Sequence, residues 1–129
     1  MKNFTKIGSG NKVVLFMNWN RNKTVINLPY TFENLKTLLN SFCNKENNFS
    51  HYEFTKWCDN LTMAFDDDKA DVLSERDGLA FRVARDIECQ WDLYLINTYS
   101  YKELQNIDIS QVSLPQEWFL SWSEELESF

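Results

Sequence analysis

Asp77-Gly78-Leu79-Ala80-Phe81-Arg82-Val83-Ala84-Arg85-Asp86-Ile87-Glu88-Cys89-Gln90-Trp91-Asp92-Leu93-Tyr94-Leu95-Ile96-Asn97-Thr98 is the stretch on which the fold class turns. Asp-Gly marks tight hairpins, because a type I′ turn needs positive φ at both central residues. Beyond it Phe81, Val83, Arg85 and Ile87 alternate with Arg82, Ala84, Asp86 and Glu88, and Trp91, Leu93 and Leu95 alternate with Asp92, Tyr94 and Ile96. A period of two belongs to a strand, whose successive side chains point to opposite faces. The alternation predicts strands through about Thr98; a helix ending at Gly78 is the other reading of the same signal.

Upstream, residues 12–18 and 23–28 are runs rich in β-branched residues separated by Trp19-Asn20-Arg21-Asn22, which reads as a β-hairpin. After Pro29 the period changes. Phe32, Leu35, Leu38, Leu39 and Phe42 recur at three- and four-residue spacing, predicting an amphipathic helix over 31–43 with Thr31 as its cap. Ser50-His51-Tyr52-Glu53 fits a capping box, flanked by Phe49 and Phe54 in staple positions. The apolar line Phe54, Trp57, Cys58, Leu61 and Phe65 extends that second helix from about Ser50 to Phe65. Downstream, Ser100 to Glu103 repeats the capping-box pattern over a short segment. Leu114-Pro115 then opens a C-terminal helix striped by Trp118, Phe119, Trp122, Leu126 and Phe129. These elements describe an α+β fold in a single domain, 1–129: an N-terminal β-hairpin, two amphipathic helices, central strands and a C-terminal helix.

With 129 residues, 43% of them hydrophobic, and 10 Phe, 5 Trp and 5 Tyr, the chain can close one dense core. The N-terminus lacks a signal-like apolar stretch and no run reaches the roughly 20 residues of a membrane span, so a cytoplasmic location is expected. Cys43, Cys58 and Cys89 form no CxxC pair and read as small hydrophobes in a reducing compartment. The formal net charge of −6 conceals an asymmetry: residues 1–58 carry a net +5 and residues 59–129 a net −11. A field of that sign repels nucleic acid and attracts basic proteins.

Little in the chain points to catalysis. His51 is the only histidine and no nucleophile motif accompanies it; GxxxxGK[ST], GxGxxG, HExxH and GxSxG are all missing. No cofactor, no metal and no enzymatic activity are expected. The competing reading is a metal-dependent hydrolase using Asp66, Asp67, Asp68 and Asp71, although their spacing is not that of an EF-hand loop. Position makes these acids informative in another way. Asp66 to Asp68 follow the end of the second helix, and Glu124, Glu125 and Glu127 fall in the last turn of the final one. Carboxylates at a helix C-terminus are disfavoured by a few tenths to ~1 kcal/mol each. Two clusters opposing their helix dipoles point to a functional acidic face, extended by Asp71, Glu75 and Asp77, with Trp122 as an aromatic anchor at its rim. Glu33, Glu46 and Glu53, in the basic half, form the natural control set.

The segment Leu38-Leu39-Asn40-Ser41-Phe42-Cys43-Asn44-Lys45-Glu46-Asn47-Asn48-Phe49-Ser50-His51-Tyr52-Glu53-Phe54 resembles the two-helix pattern of colicin D-type immunity proteins, a group allied to the immunity proteins of contact-dependent growth inhibition systems. It has their apolar helix, short polar turn and second helix opening with Glu-Phe. Those proteins are all-helical, and the strands read at 12–28 and 79–98 depart from them. The resemblance implies an antitoxin that neutralises a cognate basic RNase or tRNase toxin by covering its cleft with carboxylates, with no membrane or nucleic-acid partner. A phage-encoded inhibitor of a host nuclease would carry the same features.

Overall fold

The computed structural model describes residues 22–46, 49–67 and 73–129, and these residues contain helices and no strand. The long helices are α1 (Phe32–Cys43), α2 (His51–Asp67), α3 (Glu75–Thr98) and α5 (Gln116–Glu127); a one-turn α4 (Tyr101–Leu104) and a 3-10 turn (Ile109–Gln111) link α3 to α5.

The expected α+β class is therefore overturned, and its central strands are a single 24-residue helix. Ala80 and Ala84 explain the difference. Counted as apolar, they complete the set Leu79, Ala80, Val83, Ala84, Ile87 and Trp91, which advances by the threes and fours of a helix, and all six are buried. The Asp77-Gly78 pair lies in the first turn, because Ser74 caps α3: its Oγ accepts the Asp77 N–H at 3.0 Å, and its carbonyl accepts the Gly78 N–H at 2.8 Å. A Cβ at Gly78 would meet only the Arg82 Nη1, 4.0 Å away. Gly78→Ala is accordingly expected to stabilise the protein by about 0.5–1 kcal/mol in urea melts. At a hairpin turn with positive φ the same change would destabilise it.

Of the N-terminal hairpin, residues 12–18 lie outside the described residues. Residues 23–28 form neither strand nor helix, with a bend at Val25, and they bond to side chains of α2 instead of to a second strand. Asn60 is fully buried and its amide imitates a peptide group: Oδ1 accepts the Asn22 N–H at 2.8 Å while Nδ2 donates to the Asn22 carbonyl at 3.0 Å and to the Tyr30 hydroxyl at 3.1 Å. Between those two points the chain doubles back past Glu53, whose Oε1 accepts the Val25 N–H at 3.0 Å, and past Trp57, whose indole N–H donates to the Leu28 carbonyl at 3.1 Å. Glu53, Trp57 and Asn60 stand at i, i+4 and i+7, one stripe of α2. Ile26, 2% exposed, is the apolar plug of this segment. Asn60→Leu keeps the volume and orphans the Asn22 backbone groups, so a loss of about 2–3 kcal/mol is expected in denaturant melts.

The remaining helices form where the 3.6-residue pattern put them. Thr31 caps α1 by accepting the Asn34 N–H at 3.1 Å, and Ser50 accepts the Glu53 N–H at 3.0 Å to open α2. The Glu53 carboxylate bonds to the Val25 N–H and to Lys56, so it ties α2 to the 23–28 segment. The box at Ser100 and Glu103 is complete, with bonds of 2.7 and 3.1 Å.

Side-chain bonds set the directions of the helices. α1 and α5 run antiparallel: Gln116 Nε2 donates to the Phe42 and Cys43 carbonyls, Ser123 bonds to Asn40, Lys36 pairs with Glu127 and Phe129 lies against Phe32. α3 runs antiparallel to α5, from Phe129 beside Leu79 to Trp118 against Tyr94. It also runs antiparallel to α2, with Tyr52 stacked near Trp91 and Thr62 bonded to Glu88. The N-termini of α1 and α3 and the C-terminus of α5 thus meet at one end of the molecule, toward which α2 also points its C-terminus.

Candidate partner-binding surface

That end is acidic. α1 contributes Glu33, α2 Asp66, α3 Glu75 and Asp77, and α5 Glu124, Glu125 and Glu127; all but the half-buried Asp77 are exposed. Against them stand Lys36, which pairs with Glu127 at 3.4 Å, Arg76, which pairs with Glu33 and lies over the Phe32 ring, and the exposed Arg82, which lines a groove with Glu75, Ser128 and Phe129. Among the described residues, Asp66, Glu75, Asp77, Glu124 and Glu125 have no ion-pair partner.

The acids predicted from the sequence divide by helix dipole. Asp66 and Asp67 close α2, and Glu124, Glu125 and Glu127 close α5, with no basic residue in either last turn. These oppose the dipole. Glu75 and Asp77 occupy the first turn of α3, where a carboxylate is favoured, so helix stability alone accounts for them. Asp68 and Asp71 lie outside the described residues. Among the described residues no three His, Cys, Asp or Glu side chains gather as a metal cage.

Trp122 differs most from its expected role. It is 4% exposed and packs edge-on to Phe119, with ring centroids 5.5 Å apart. Its indole N–H donates to Asp86 Oδ2 at 2.7 Å. It belongs to the core and meets the surface at that bond and at one edge of a groove between α3 and α5. Sequence reasoning missed Asp86, whose place beside α5 is legible only once 75–98 is read as a helix. Phe129, 62% exposed, is the aromatic side chain that the acidic end does present.

The control acids also move. Glu33 sits at the acidic end. Burial works to raise the Glu53 carboxyl, but the bonds from Thr24, the Val25 N–H and Lys56 outweigh it and leave the group below the ordinary carboxylate range. Glu46 and Glu117, exposed beyond the C-terminus of α1 and in the first turn of α5, occupy the opposite end.

His51 is half-buried and packed between aromatic rings. It lies 4.7 Å from the Phe119 ring and 5.2 Å from the Phe42 ring, and its Nδ1 accepts the Leu114 N–H at 2.8 Å. Burial pushes the imidazole below its usual value, and the accepted bond assigns the neutral tautomer with hydrogen on Nε2. His51 is a structural acceptor that anchors the entry to α5. Cys58 is fully buried, and burial holds its thiol well above the ordinary range, so it is inert.

Compared with family models, with curated proteins and with solved structures, the chain matches none. No described helix is long and apolar enough to cross a membrane.

Glu124→Gln with Glu125→Gln removes two carboxylates from an uncompensated C-terminus and is expected to raise stability by about 0.3–1 kcal/mol per residue at low salt, with the gain shrinking as salt is added. Thermal melts at two ionic strengths check both the sign and the trend.

Proposed function

We propose that this protein is an inhibitor that binds a basic nuclease, in the manner of an immunity protein, and occludes its cleft with the acidic end of the helical core. The observation that carries the reading is the convergence of exposed carboxylates from separate helices on one end, two of the sets placed where they weaken their own helices. A solvated surface that served only solubility would gain nothing from that placement, whereas a partner's basic cleft would supply the missing cations. The helical architecture also agrees with the all-helical proteins that the 38–54 segment resembles. Descent adds no support, so the reading stands on electrostatics.

In this mechanism the acidic end steers the partner by long-range attraction, which raises the association rate and is shortened by salt to a reach of about 8 Å at physiological ionic strength. Carboxylates then occupy positions where the nuclease would hold phosphates. No chemistry is asked of this chain.

Association with a basic nuclease toxin domain, followed at rising salt, tests the reading. The rate is expected to fall steeply with salt. Neutralising Asp66, Glu124 and Glu125 together should slow association by about tenfold or more and weaken growth rescue in cells expressing the toxin. Glu46→Gln with Glu117→Gln, at the opposite end, should leave both unchanged. An acidic-end variant that binds and protects as the parent does would overturn the mechanism.

A further inference from the structure

Between α3 and α5 a groove of about 210 Å³ opens, lined by Asp86, Gln90, Trp118, Ser121 and Trp122. Sites for drug-sized molecules occupy about 300–1,000 Å³, so this one suits a single side chain. Its walls are fixed. The Asp86 carboxylate is exposed but held by the Trp122 indole N–H at 2.7 Å through Oδ2. Trp118, half-buried, is set by two near-perpendicular neighbours, Tyr94 at 5.8 Å and Trp122 at 6.2 Å between centroids. Asp86 is the only charged residue in the lining, and no cation pairs with it among the described residues. Gln90 and Ser121 add neutral polar groups.

We propose that this groove is a socket for one arginine side chain of a partner protein, its guanidinium bonded to the Asp86 carboxylate and laid against Trp118. The charge of the lining excludes anions, and a purely apolar group would leave Asp86 without a counter-charge. Arginine fits better than lysine because its planar fork can bond a carboxylate while stacking on an indole, which a compact ammonium does less well. The carboxylate is already oriented by Trp122, so its rotamer entropy is lost before the ligand arrives. This proposal deepens the inhibitor reading by naming a contact on the basic partner, and it is tested without that partner, so either can fail alone.

The test is NMR titration of the full chain, following tryptophan indole N–H signals, with N-acetyl-arginine amide as probe and N-acetyl-citrulline amide as its uncharged isostere. Saturable shifts at Trp118 and Trp122 are expected with the arginine compound and not with the citrulline one. Asp86→Asn keeps an oxygen for the Trp122 N–H and should weaken binding by about tenfold or more, the scale of a lost charged hydrogen bond. Trp118→Leu leaves the Asp86 to Trp122 bond in place and should weaken binding several-fold, a second readout should the first variant fold poorly. Glu124→Gln with Glu125→Gln should leave the saturation intact. Shifts that never saturate, that appear equally with citrulline, or that survive both Asp86→Asn and Trp118→Leu would overturn the proposal.

Discussion

Every long helix in this protein packs on α3, so the burial of its inward stripe is the constraint from which the rest follows. Ala80, Val83, Ala84 and Ile87 are all fully buried. Two alanines in such a stripe let neighbouring backbones come close, since interaxial distance is set by the side chains at the crossing. α2 packs along α3, and the antiparallel pair α1 and α5 packs on it as well. Aromatic rings fill much of the rest of the core: Phe42 stacks on Phe119 at 5.1 Å and tilts on Phe54 at 4.8 Å, and Trp57 is fully buried. Such pairs add about 0.5–1.5 kcal/mol each beyond area burial, which suits a chain with so many aromatic residues.

Polar groups within this core are few and fully employed. Asn60 spends its amide on the Asn22 backbone and Tyr30, Trp57 on Leu28, Trp122 on Asp86, and His51 on Leu114. Each bond joins a helix to a segment with no regular partner or to another helix, so polar specificity sits at the joints and apolar burial within the helix pairs. The acidic end follows a different logic. Its carboxylates bond to little within the chain, and those of α2 and α5 work against their own helix dipoles. Beyond the Lys36–Glu127 and Arg76–Glu33 ion pairs, this surface costs stability with little internal return among the described residues, which is what the proposed function accounts for.

The parts legible in the sequence were those with one clean face. α1 and α2 bury a single stripe each, and their periodicity, with Thr31 and Ser50 as caps, placed them within two residues of their observed ends. α3 hid because it is apolar on more than one side: Leu93 and Ile96 are 49% and 66% exposed, and Leu93 with Phe81 supplied a false period of two. Ala80 and Ala84, the inward residues that would have restored the true period, carry so little apolar surface that they read as spacers. The cap at Ser74 with Asp77 was in plain view but stood beside Asp-Gly, a louder signal of another structure. For the candidate surface, charge sign and position were readable, because formal charge survives any fold. The role of Trp122 was not, since burial depends on where α3 runs, and the α3–α5 groove could not be found before both helices were known.

The Gln116 amide that closes the C-terminus of α1 comes from a residue 74 positions away from Phe42. α1 therefore emerges from the ribosome long before the side chain that satisfies its last carbonyls or the helix that covers Phe32, Leu35, Leu39 and Phe42. Through that interval the nascent chain exposes an aromatic-rich ridge with no native cover, although α2 and α3 can pair as a local hairpin soon after synthesis. The helical content of the fold suggests quick, local assembly; this closing contact makes its final step a long-range one.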